Sequence, residues 1–191
     1  MLTPGADPVR KISIIPRGLA LGVTLSSPDT DRVSYEEAEL LAAIKVALGG
    51  RVAEEEVFDT ITTGAQSDIQ HLTAIARQMV GSWGMSPAIG PIAVDGADPA
   101  GMLLPGARPS SADTQRLADD EVRRIVDEAL TEVRTLLDEH REQLDDLAAA
   151  LLANETLDQD AIYDAVGLPP SVPAHDGPRP PALAGVTGTI G

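Results

Sequence analysis

The strongest periodic signal runs from about Ser111 to Ala153. Val122, Ile125, Val126, Ala129, Leu130, Val133, Leu136 and Leu137 recur at intervals of three and four, which is one face of a helix. Leu144, Leu147 and Leu151 form a second stripe, and a break near His140 predicts an antiparallel hairpin of helices. A second helical pattern begins at Ser34, where Ser34 and Glu37 have the spacing of a capping box. Leu40, Leu41, Ile44, Ala47 and Leu48 follow at helical spacing. Gly49 and Gly50 come next, and two glycines usually end a helix. Yet "VAEEEVF" continues the pattern, which places both glycines inside it. Interior glycines cost about 1 kcal/mol each relative to alanine. Their presence predicts close approach by another backbone or side chain. A third helix is predicted from about Ala65 to Ser82, with Ile69, Leu72, Ile75, Ala76 and Met79 on one face.

The remainder reads as short strands, turns and loops. Residues 1–9, with Pro4, Gly5 and Pro8, predict an extended lead-in. "RKISIIPRG" and "ALGVTLSS" are short β-rich runs that predict a small hairpin. "SPDTDRVS" is turn-rich. "GSWGMSPAIGPIAVDGADPAGMLLPGARPSS" reads as a long loop with a strand near "PIAV", and loops of that length are often functional or mobile. "LDQDAIYDAVG" predicts a short last helix, capped by Asp158 and stopped by Gly167. The Pro/Gly-rich stretch after it predicts a disordered tail. The fold class is mainly α: one helical domain over residues 1–168, with a small N-terminal β-hairpin and a C-terminal helical hairpin, then a tail over 169–191.

Composition narrows the function. Aromatics make up only 2% of the 191 residues, so the core is expected to consist of Leu, Ile, Val and Ala. The net charge of −16 and the scattered basic residues argue against nucleic acid as a partner. With no cysteine, disulfides, thiolate zinc ligands and thiol catalysis are excluded. No apolar run has the length of a membrane span, and "MLTPGADPVRK" is not a signal peptide. A soluble, cytoplasmic chain is the expectation.

Candidate chemistry is sparse. The zincin pattern H-E-x-x-H does not occur, nor does its inverse, the phosphate-binding G-x-x-x-x-G-K-[ST] or the G-x-S-x-G elbow. His140 lies in "DEHREQ", read as a charged, solvated helix end, and His175 lies in the tail. Asp68 and His71 are three apart and share a helix face, as two metal ligands or as a plain carboxylate–imidazole pair. Spacing alone favours the pair. The acidic run "AEEE", Ala53 to Glu56, reads as a solvated helix face.

"ISIIPRGLALG", "ALGGRVAEEEVF", "ITTGAQSDI" and "GMS" occur in this order. Together they resemble the peptidase domain of the FtsH family, ATP-dependent zinc metalloproteases of peptidase family M41, over roughly residues 7–168. The resemblance implies a mostly helical zinc metalloendopeptidase domain, which assembles as a homohexameric ring beneath AAA ATPase domains and degrades protein substrates for quality control. It implies that Asp68, in the "TTGA-x-x-D" segment, is the third zinc ligand. It gives Glu54 a role in orienting the ligating histidines, and Gly49 and Gly50 a role in letting the zinc helix pack closely. Thr62, Thr63 and Gly64 shape the segment that carries Asp68. Strand "ALGVTL" is implied to border the cleft and pair with extended substrate. His71 lies outside the family pattern and reads as part of an exposed pair.

The family's H-E-x-x-H helix is expected shortly before "DPVRKISIIPRG", with the ATPase domain and membrane anchor further upstream. This sequence contains none of them, so the catalytic glutamate is absent and the zinc site incomplete. ATP enters only through the AAA domain. The expectation is a fragment of a membrane-associated protease that is inactive alone. The alternative is a naturally short, catalytically dead helical module that binds FtsH-like hexamers or another partner. Loss of the zinc helix is expected to expose the apolar face of "EAELLAAIKVALGG" and favour self-association.

Overall fold

A computed structural model describes residues 1–16, 22–28, 34–94 and 110–169. Three helices form the core: α1 (Glu37–Phe58), α2 (Gln66–Gly81) and α3 (Ala112–Glu139). Each packs against the other two. Leu40, Ile44, Leu48 and Val52 of α1 meet Leu72, Ala76, Met79 and Val80 of α2 and Ala118, Ile125, Ala129 and Val133 of α3. The core is aliphatic, as the composition requires. Burying each such Leu, Ile, Val or Met contributes about 1.5–3 kcal/mol. Three ion pairs cross the helices at their margins: Lys45–Glu132, Arg77–Asp119 and Arg134–Glu55. Each has at least one exposed partner and adds at most about 1 kcal/mol.

α1 begins two residues later than the Ser34 cap predicts. Glu36 is the N-cap, with a capping box in which its side chain accepts from the Glu39 N–H and the Glu39 side chain accepts from the Glu36 N–H. Ser34 lies outside the helix. Both glycines are inside α1, as expected, but the close approach is not found. A Cβ built at Gly49 or Gly50 meets nothing within 4 Å. Among the described residues, that side of α1 is open.

Ser111 caps α3 by accepting from the Thr114 N–H. The chain breaks at His140, and α4 (Arg141–Asn154) follows after that single residue. α4 does not lie back along α3 as a packed hairpin. It packs on α5 (Gln159–Ala165) and a short strand before it, and its stripe of Leu144, Leu147 and Leu151 is only half-buried. Asp158 caps α5 through the Ala161 N–H, and Gly167 at φ 64° follows its end, as predicted.

The strands form one antiparallel sheet in the order β2-β1-β3: β1 (Val9–Ser13), β2 (Val23–Ser26) and β3 (Thr156–Asp158). The β1–β2 hairpin is the expected one, with an irregular register between Val9 and Lys11. β3 extends it: Ile12 faces Leu157, and the Ser13 and Thr156 hydroxyls bond at 2.8 Å. Residues 1–8 are not fully extended. A turn closes with the Ala6 N–H on the Thr3 carbonyl, and Gly5 at φ 83° crosses the start of α1.

No strand forms at "PIAV". Pro91 has no N–H to donate and the Ile92 N–H is spent on the Gly90 carbonyl, while the Val94 N–H reaches Gly81. The tail, His175 and residues 95–109 of the long loop lie outside the described residues. Among the described residues, no helix is long and apolar enough to cross a membrane.

Candidate functional site

The candidate site is built where α1 turns into α2. α1 ends at Asp59, which adopts the left-handed conformation at φ 51° and returns its N–H to the Glu55 carbonyl. Thr62 then caps a single 3-10 turn, Thr63–Ala65, that leads directly into α2. Its hydroxyl does two things. It accepts from the Gly64 N–H at 3.1 Å and donates to Glu54 Oε2 at 3.0 Å. A Cβ at Gly64 would lie 3.2 Å from Thr62 Oγ1 and 3.7 Å from Glu54 Oε1, so glycine leaves room for this tie. Ala65 is buried and pins the turn against the core.

Asp68 follows in the first turn of α2, exposed. A carboxylate is favoured there by the unpaired N–H groups of the helix start. Among the described residues, Asp68 makes no hydrogen bond or ion pair, and none joins it to His71, which is also exposed. Asp68 is thus a presented oxygen donor, while Glu54 is engaged with Thr62.

The run "AEEE" is not a uniform solvated face. Glu54 holds Thr62, Glu55 takes both its bonds from Arg134 at 3.1 Å, and Glu56 is half-buried. Burial, then the neighbouring Asp138 carboxylate, raises the Glu56 pKa above the ordinary carboxylate value. His140 is also less solvated than its charged surroundings suggest. Its Nδ1 is buried and has no hydrogen-bond partner among the described residues.

A zinc site needs at least three converging protein donors. Among the described residues, no group of three His, Asp or Glu side chains converges. The residues present therefore do not by themselves fit the zinc that the resemblance implies. Sequence spacing misses two features. The Glu54–Thr62 tie depends on the path of the turn, which no periodicity reports. Glu121, buried on α3 and bonded to Ser86 at 2.7 Å, was detectable: it lies three after Ala118 and four before Ile125, on the apolar face.

The model of peptidase family M41 matches residues 1–165. The ATP-dependent zinc metalloprotease FtsH 3 of Conexibacter woesei is 66% identical over 168 residues, covering 88% of this chain and 22% of that protein. The ATP-dependent zinc metalloprotease FtsH of Thermobaculum terrenum is 48% identical over 171 residues, covering 88% and 26%. That of Syntrophus aciditrophicus is 47% identical over 191 residues, covering 97% and 26%. The chain spans about a quarter of the length of the curated relatives it matches.

Proposed function

The chain belongs to peptidase family M41, and from that premise we propose that it works as the C-terminal portion of a longer ATP-dependent zinc metalloendopeptidase that degrades proteins. Residues 1–168 form its share of the peptidase unit, in a six-membered ring with AAA ATPase domains and with an anchor in the membrane. Asp68 is one zinc ligand. The observation that carries this reading is the Glu54–Thr62–Gly64 tie, which fixes the segment leading to Asp68 against the end of α1 and leaves the Asp68 carboxylate unspent. Glu54 holds that segment in place. Gly49 and Gly50, open on α1, leave room for a further helix to dock. The outer edge of β2 carries exposed Val23 and Leu25 and suits pairing with an extended substrate strand.

The donor count also favours a statement about this sequence taken alone: it does not cleave peptides. The alternative reading is a naturally short, catalytically dead helical module that binds FtsH-like hexamers or another partner.

Zinc content and ATP-dependent casein cleavage, measured on the protein isolated from its own cells, test the reading. Asp68→Asn is expected to lose zinc and at least about 100-fold of the cleavage rate, and Glu54→Ala to weaken zinc binding about 10- to 100-fold. Full zinc content and full activity in Asp68→Asn would overturn it.

A further inference from the structure

The loop that follows α2, Ser82–Val94, is held more firmly than a surface connection requires. Ser86 is only 1% exposed, and its hydroxyl donates to Glu121 Oε2 at 2.7 Å. Glu121 is 9% exposed and lies on the buried face of α3, among Ala118, Ile125 and Ala129. Arg124 grips the same carboxylate through Nε and one Nη, both at 3.0 Å, and its other Nη reaches Glu128 at 2.7 Å. Ser86 Oγ also accepts from the Ile89 N–H at 3.4 Å. The two limbs of the loop touch at Gly84, whose φ is 65° and where an added Cβ would lie 2.8 Å from the Pro91 Cα. Outward, the loop displays Trp83 and Ile92, both exposed.

An apolar residue is the ordinary choice at position 121, since a buried carboxylate is unfavourable unless fully paired. Glu121 is fully paired, and one of its partners belongs to the loop. We propose that Glu121 is a clasp: held by Arg124, its carboxylate fixes the Ser82–Val94 loop on α3 through Ser86 and keeps Trp83 and Ile92 as a rigid apolar display. This inference is independent of the proteolytic reading.

Residue-resolved amide exchange on the 191-residue chain tests it. Ser86→Ala removes the link to Glu121 together with the weaker Oγ contact to the Ile89 N–H, and leaves the Glu121–Arg124 pair. It is expected to speed exchange at Met85, Gly90 and Val94 about tenfold or more, with Ile44 and Leu72 unchanged. Glu121→Gln keeps the side-chain shape and is expected to act in the same direction. The anisotropy of Trp83, the sole tryptophan, falls in both. Arg116→Ala, which breaks only the exposed pair with Asp113 on the same helix, leaves every readout as in the parent. Unchanged loop exchange and Trp83 anisotropy in both variants would overturn the clasp. So would equal acceleration of loop and core amides in Ser86→Ala, which would make the contact a general stabiliser.

Discussion

Glu121 and Glu56 are both carboxylates withdrawn from water, and their surroundings push them in opposite directions. The Arg124 hydrogen bonds first, and the Ser86 hydroxyl second, outweigh burial and hold the Glu121 pKa below the ordinary value. The folded chain therefore binds that proton more weakly than the unfolded chain. The stability Glu121 contributes is present above the ordinary carboxylate range and is lost as pH falls through its folded pKa. For Glu56 the pKa is raised, so its contribution is present below the unfolded pKa and is lost as pH rises through the folded one. Thermal melts between about pH 3 and 7 should show Glu121→Gln less stable at pH 7 with a flatter acid limb, and Glu56→Gln slightly more stable at pH 7. Neither role was legible from charge patterning, which treats acids on a helix as solvated. Glu121 betrays itself only through its place in the apolar stripe. Asp68 is a different case. Its spacing from His71 favours an exposed pair, and its order within "ITTGAQSDI" is what singles it out.

Long, strongly periodic helices were the most legible elements, because α1, α2 and α3 each repeat an apolar face over several turns. Their boundaries were less so. A glutamate is an unusual N-cap, so the Glu36–Glu39 box was hidden behind the more familiar Ser34. β3 has three residues, too short for any alternation to register. Its existence depends on β1 offering a second edge. The interior glycines of α1 test how this element is used. With nothing within 4 Å of either Cβ position, Gly49→Ala and Gly50→Ala should each stabilise this chain by about 0.4–1 kcal/mol, measured by circular dichroism melts. In a longer protein where a further helix packs at that spot, the same substitutions should lower proteolytic activity. A loss of stability in this chain would mean that the glycines serve a contact within it.

At the scale of the whole molecule, one side of α1 is uncovered among the described residues. Val46 is 54% exposed and Phe58 70%, with Val57 and Ile61 also exposed nearby, while the opposite face forms the core. Exposed apolar surface of this kind favours association, and the net charge of −16 opposes it. Self-association should therefore rise with protein concentration and with salt, which screens the repulsion. Light scattering after size exclusion would show this, and Phe58→Ser should reduce it. A monomer at all concentrations and salts would contradict the prediction. The proposed function makes this sequence one portion of a larger M41 protease. Intact mass with N-terminal sequencing of the native gene product, taken from its own cells, tests that most directly. The expected result is a protein several times larger than 19.9 kDa that contains this sequence. A product of 19.9 kDa beginning at Met1 would contradict it.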